Sequence, residues 1–162
     1  SFRHCRLDYL IFSTHLFEAI RLQTHRKIGA NKKHYYGTTK MNEIEINVQP
    51  RYVAGQSDVY RDRYAFNYVI TICNRSNDVI TLRQRFWEIT DGHGATEPVG
   101  HSGLIEEQPV LYPGEAYEYN SGSQLCTPWG SIEGAYEFED SIGERFIVGV
   151  PKLEFKAGFT LQ

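Results

Sequence analysis

A chain of 162 residues with 41% hydrophobic and 14% aromatic content can bury one good core, which indicates a single domain. Its net charge of −3 hides a split, because residues 1–40 carry +6 and residues 41–162 carry −9. An acidic body repels phosphate, which excludes general nucleic-acid binding unless residues 1–40 are native, and no run approaches the roughly 20 apolar residues of a membrane span.

The first 40 residues are predicted to be an extension outside the domain. The only methionine is Met41, where the composition changes and strand patterning begins. We therefore expect residues 1–40 to be upstream reading frame or sequence added for expression, and residues 41–162 to be the domain. The competing interpretation is a basic, acid-poor targeting segment.

The first half of the domain alternates apolar and polar residues with the period of two that strands require. A hairpin turn is predicted at Asp91–Gly94, because Asp-Gly tolerates the positive φ of such turns. The long third segment has mixed faces, which predicts a bulge or a change of sheet. The strands predicted here are Glu43–Tyr52, Tyr64–Asn74, Val79–Thr90 and Thr96–Val99.

The second half begins with a predicted turn at Pro113 and Gly114. A strand is expected over Ala116–Asn120, then a loop that Ser121, Gly122, Thr127, Pro128 and Gly130 punctuate, then a strand over Ile132–Phe138. Two more follow, Glu144–Val150 and an edge strand over Pro151–Phe159, where a proline at the start is permitted. The total of about eight short strands is typical of an all-β sandwich of two antiparallel sheets.

Three cysteines and no signal peptide indicate a reducing compartment, and we expect a cytoplasmic protein. The spacing of Cys73 and Trp87 imitates the immunoglobulin pattern, with Cys126 as the candidate disulfide partner. Cys126 lies in a predicted loop with no tyrosine two residues before it, which argues against that bond. Cys73 is instead predicted to be a small buried hydrophobe, and Trp87 a core residue.

Many residues of this domain match one family pattern, from Gln49 to Phe146. The matching segments are Gln49–Asp58, Tyr64–Asn74, Arg85–Asp91, Glu107–Pro109, Pro113–Glu115, Tyr119, Ser121–Gly122, Thr127–Pro128, Gly130, Glu133–Gly134 and Glu144–Phe146. On these residues the chain resembles the ApaG family. The resemblance implies an immunoglobulin-like or fibronectin type III-like sandwich, mostly bacterial and cytosolic.

The family resemblance also implies a function. Bacterial members are associated with cobalt and magnesium efflux under the name CorD, related domains act in protein interaction, and the family is not an established enzyme group. We therefore expect a non-enzymatic binding module for a protein partner.

Bacterial members commonly carry Gly-x-Gly-x-x-Gly before Glu-Gln-Pro, which suggests pyrophosphate binding. This chain has His101, Gly103 and Glu106 at the three positions, so only the middle glycine remains. Gly100, with His101, Ser102, Gly103 and Glu106, is still a candidate anion site. The alternative function is therefore a sensor that binds a phosphorylated metabolite or a divalent cation at this loop.

Dedicated chemistry is not predicted elsewhere. His93 and His101 are the only histidines of the domain and lie in no ligand-spaced cluster, so we expect no metal site and no cofactor. No nucleophile elbow or zinc-protease motif occurs, and nucleotide hydrolysis is only a minor alternative.

Loop aromatics are the predicted interface. Trp129 stands between Pro128 and Gly130 with no local pattern that forces it inward, and Tyr112 precedes a turn. A sheet edge at Lys152–Phe159 is another candidate for partner binding.

Overall fold

The structure is a computed structural model that describes residues 43–98, 103–104 and 107–158. These ranges contain nine strands and two short 3₁₀ turns, Ala54–Gln56 and Val59–Arg61. The strands are β1 (Ile44–Tyr52), β2 (Tyr64–Asn74), β3 (Ile80–Asp91), β4 (Thr96–Pro98), β5 (Gly103–Leu104), β6 (Val110–Leu111), β7 (Ala116–Leu125), β8 (Trp129–Asp140) and β9 (Arg145–Lys156).

The strands form two antiparallel sheets. The first has the order β1-β2-β7. The second has the order β4-β3-β8-β9, and β5 and β6 also pair with β3. Every pairing is antiparallel, so the prediction of an all-β sandwich of two antiparallel sheets is confirmed.

Aromatic side chains fill the space between the sheets. Phe66 on β2 meets Phe155 on β9 edge to face, with ring centroids 4.7 Å apart. Trp87 is only 4% exposed and packs against Tyr136, which confirms its predicted place in the core. Edge-to-face pairs of this kind are favoured by the charge distribution of the rings.

A bulge in β3 decides which of its residues face the core. Leu82 pairs with Phe138 and Gln84 pairs with Glu137, so that Arg83 is the extra residue. The prediction of an irregularity in this strand is confirmed. Arg83 lies 2.9 Å from the Glu139 carboxylate, and its hydrogen bonds hold the pKa of Glu139 below the usual value.

The Asp91–Gly94 hairpin turn is confirmed, although Gly94 and not Gly92 has the positive φ, at 85°. The Asp91 carboxylate accepts hydrogen bonds from the backbone N–H groups of His93 and Ala95. His93 is an exposed turn residue. The side chain of Asp91 therefore organises the turn.

The predicted loop from Ser121 to Gly130 was wrong at both ends, because only residues 126–128 lie outside a strand and Trp129 already begins β8. β7 continues to Leu125, and Ser121, Gly122 and Ser123 pair with β2 opposite Tyr68, Asn67 and Phe66. The large inward rings of β2 need small residues opposite them, and this packing overrides the loop propensity of Ser-Gly-Ser.

Two other sequence predictions also need correction. Pro151 does not begin a new strand but lies within β9, where the register shift beside Ile132 and Gly134 accommodates a residue without a backbone N–H. Cys73 is half-buried and not a core residue, because the inward positions of β2 are the even-numbered ones such as Ile72. Cys73 and Cys126 lie at opposite ends of the β2–β7 pair and are not bonded to each other.

Candidate functional site

Strand β3 separates the two aromatic residues that the sequence suggested as one interface. Tyr112 directly follows β6, which pairs with Ile80 at the start of β3. Trp129 begins β8 beside Asp91, at the other end of β3. A strand of this length spans roughly 35 Å at about 3.3 Å per residue. Both side chains are exposed, Tyr112 at 57% and Trp129 at 52%, but they belong to different surfaces.

The indole of Trp129 rests on a glycine of the hairpin turn. A Cβ atom added to Gly92 would lie 2.3 Å from the Trp129 Nε1 atom and 2.4 Å from Cε2. Only a residue without a side chain allows the ring to lie this close. One face of the indole therefore covers the turn while half of the side chain meets solvent.

Buried hydrogen bonds fix the backbone on both sides of this indole. The Thr127 hydroxyl accepts the Gly92 N–H at 2.8 Å and donates to the Trp129 carbonyl at 2.7 Å. Thr127 is 2% exposed, and the Ala157 N–H donates to the Pro128 carbonyl at 2.6 Å. We call Gly92, Thr127, Pro128 and Trp129 the tryptophan platform. It is held by three segments that are distant in sequence.

The predicted anion loop lies largely outside the described residues. Gly100, His101, Ser102 and Glu106 are outside them, and the backbone of Gly103 pairs with Arg85 as part of β5. Gly103 of the predicted loop is therefore the backbone partner of Arg85, a residue that was not predicted to belong to a site.

Arg85 lines a cleft between the two sheets. Because of the bulge at Arg83, Arg85 shares the inward face of β3 with Trp87 and Ile89, opposite Tyr136 and Ile132 of β8. The cleft has a volume of about 10 Å³, the space of roughly one water molecule. It is lined by Tyr68, Ile70, Arg85, Trp87, Tyr119, Ser121 and Ile132.

Tyrosines and the arginine form a polar cluster in this cleft. The hydroxyls of Tyr119 and Tyr136 share a short hydrogen bond, and the Arg85 guanidinium lies 5.6 Å from the centre of the Tyr119 ring. Burial raises the pKa of both hydroxyls, and nearby Arg85 offsets a part of that rise. These hydroxyls therefore stay protonated at neutral pH and can donate hydrogen bonds.

Two buried donors of the cleft make no hydrogen bond with any described residue. The Tyr68 hydroxyl and the Trp87 Nε1 atom have no partner of acceptable geometry, although Ser123 lies near the first and the two tyrosine hydroxyls near the second. Tyr68 is 0% exposed, and its burial raises the pKa of its hydroxyl. Buried polar groups without partners are uncommon and cost about 1–3 kcal/mol each.

The sequence carries one signal for this cleft, which is a charged residue within an apolar strand. Arg85 lies two residues before the core Trp87 and would share its face. Counted from the start of β3, the alternation of faces gives the direction of the Arg85 side chain only when the position of the bulge is known.

Potential metal ligands are dispersed over the described ranges. There, no group of three or more His, Cys, Asp or Glu side chains is placed to hold a metal ion. The same ranges contain no helix long and apolar enough to cross a membrane.

Comparisons with known proteins agree on one family. The ApaG domain profile matches residues 54–140. The chain is 45% identical over 109 residues to Protein ApaG of Allorhizobium ampelinum, and the alignment covers 67% of this chain and 84% of that protein. Protein ApaG of Brucella anthropi is 41% identical over 108 residues, covering 67% and 83%.

Solved structures show the same relationship. A crystal structure described as a putative ApaA protein from Bordetella pertussis is 35% identical, has a TM-score of 0.68, and covers 72% of this chain and 95% of its own. A second X-ray structure, of a structural genomics target, is 34% identical with a TM-score of 0.66, covering 74% and 91%. From the matched domain, the identities and the shared fold, the chain belongs to the ApaG family.

Proposed function

We propose that the domain is a binding module and not an enzyme, and that it docks a protein partner through the tryptophan platform. The observation that carries this proposal is that Trp129 is 52% exposed while its ring lies against Gly92. A large aromatic side chain that is both exposed and fixed has the properties of an interface anchor.

The fixed position of the indole lowers the cost of binding. A mobile side chain loses about 0.5–1.5 kcal/mol of conformational freedom when a partner immobilises it. Contact with Gly92 already restricts the Trp129 ring, and the buried Thr127 hydroxyl ties its backbone to the hairpin. A partner that covers the indole would therefore lose less free energy to the ordering of this side chain.

Charge indicates the chemistry of the partner. Residues 41–162 carry a net charge of −9. A partner with a basic rim around an apolar pocket would be steered towards this domain, and its association would slow as salt is raised. Under this proposal, the family's association with cobalt and magnesium efflux is exerted through such a protein in the cytoplasm.

Removal of the indole is expected to weaken this docking strongly. Trp129→Ala should weaken binding of the captured partner by about 30-fold, the effect of one interface hot spot of about 2 kcal/mol. The full chain would be used to capture partners from extract of the cells that make it. Affinity would then be measured with the purified partner by calorimetry.

Two further variants show whether the position of the ring matters. Gly92→Ala retains the indole but displaces it, because the new methyl group would overlap the ring, and we expect a loss of about tenfold. Tyr60→Ala removes another aromatic ring, 98% exposed, and should leave affinity unchanged. Equal affinity of the wild-type and Trp129→Ala proteins would reject the platform as the docking site.

A second candidate function, sensing of a small ligand, has one observation in its favour. The glycine loop that suggested it pairs through Gly103 with Arg85, whose side chain lines the cleft. A ligand held at Gly103 would therefore lie close to the backbone of Arg85.

A further inference from the structure

We propose that the cleft between the sheets binds the carboxylate of a small organic anion, with Arg85 as its charge partner. This site differs from the tryptophan platform and does not depend on it. It consists only of described residues, and Tyr68, Arg85, Trp87, Tyr119 and Ser121 supply its polar groups.

Two buried groups of the cleft need an acceptor. The indole N–H of Trp87 can only donate a hydrogen bond, and the guanidinium of Arg85, which also lines the cleft, carries donors and no acceptor. The Tyr68 hydroxyl, 0% exposed and without a hydrogen-bond partner among the described residues, can donate as well. A negatively charged oxygen would satisfy the Trp87 and Tyr68 donors, which a hydrophobic group or a cation would leave unpaired.

The dimensions of the cleft select a small group. A volume of about 10 Å³ holds one oxygen atom and not a whole metabolite. The floor is buried, since Ile70, Trp87 and Ile132 are 3%, 4% and 2% exposed. Arg85, Tyr119 and Ser121 are half-buried and form the rim. One carboxylate oxygen would therefore enter the cleft, and the other would meet Arg85 at the rim.

Charge favours a carboxylate over a phosphate. Among the described residues, Arg85 is the only cationic one that lines the cleft. Its planar guanidinium can pair with both oxygens of a carboxylate. A phosphate brings up to two charges into a domain that already carries −9 over residues 41–162, and the second charge would be repelled.

The indole N–H of Trp87 provides a direct measurement. In ¹H–¹⁵N spectra of the full chain, the two tryptophans give two indole signals, which a Trp129→Phe variant assigns. We expect sodium acetate at pH 7, with ionic strength balanced by sodium chloride, to shift the Trp87 signal saturably in the millimolar range. The Trp129 signal should not follow, because that residue lies at the start of β8 and outside the cleft.

Matched variants test the role of each donor. Arg85→Gln should weaken acetate binding at least tenfold, and Arg75→Gln, which removes the same charge from an exposed pair with Glu45, should not. Tyr68→Phe removes only a buried hydroxyl and should weaken binding about fivefold. This variant tests the site even if Arg85→Gln does not fold.

Three results would overturn the proposal. A Trp87 signal that never saturates with acetate would mean that the cleft holds water alone. Saturation that survives both Arg85→Gln and Tyr68→Phe would place the anion elsewhere. Inorganic phosphate that binds as tightly as acetate would reject the selection of a single charge. None of these outcomes concerns Trp129, so the two proposals can fail independently.

Discussion

Gly134→Ala is expected to destabilise the domain by about 3 kcal/mol, at the upper end of the usual cost of an added methyl group in a packed core. A Cβ atom at this position would lie 2.5 Å from the Phe86 carbonyl oxygen and 2.6 Å from the Trp87 ring. Neither neighbour can withdraw easily, because one is strand backbone and the other is a ring packed against Tyr136 at a centroid distance of 5.6 Å. Trp87, with the largest side chain, is paired directly with Gly134, which has none.

The measurement is the free energy of unfolding in denaturant, with Gly55→Ala as the matched control. Gly55 has no atom within 4 Å of an added Cβ, so its substitution should change stability by less than about 0.5 kcal/mol. Equal stability of the two variants would show that the contact between Gly134 and Trp87 is not tight. Because Trp87 also lines the cleft, Gly134→Ala should broaden or move its indole signal as well.

The sequence predicted best where local chemistry decides the structure. The Asp91–Gly94 hairpin follows from residues that form their own turn, through the Asp91 side chain and the positive φ of Gly94. The alternation of β1 and β2 predicted the inward residues without knowledge of their partners. Trp129 was predicted to lie outward on similar local grounds, and it is exposed.

Prediction failed where contacts between strands that are distant in sequence decide the structure. Ser121–Ser123 has the composition of a loop, yet it is strand because the rings of Tyr68 and Phe66 lie opposite. The direction of Arg85 depends on a single extra residue in β3. Without a bulge at Arg83, simple alternation from Ile80 would point Arg85 to the outer face. The sequence therefore marks Arg85 as a charged residue within an apolar strand, but it does not show that Arg85 lines one cleft with Tyr68 and Tyr119.

Alkaline pH is expected to unfold the domain through its buried tyrosines. Burial raises the pKa of Tyr68, Tyr119 and Tyr136 above the ordinary value near 10. Above pH 10 the unfolded chain releases these protons while the folded domain keeps them, so stability falls as the pH rises. The stabilising contribution is fully present below pH 10. A tyrosine that keeps its proton up to pH 11 in the folded domain should cost about 1.4 kcal/mol of stability between pH 9 and pH 11.

Single substitutions separate this effect from the titration of other groups. Phenylalanine at position 136 cannot ionise, so in Tyr136→Phe the loss of stability between pH 9 and pH 11 should shrink by about 1.4 kcal/mol, even if the variant is less stable at every pH. Tyr60→Phe should leave the loss unchanged, because the Tyr60 side chain is 98% exposed in the folded domain. Denaturant unfolding at the two pH values, followed by circular dichroism, measures both. An undiminished loss in Tyr136→Phe would mean that the Tyr119–Tyr136 pair ionises as readily in the folded domain as in the unfolded chain. The pair would then be open to water, contrary to the position of Tyr136, which is 0% exposed.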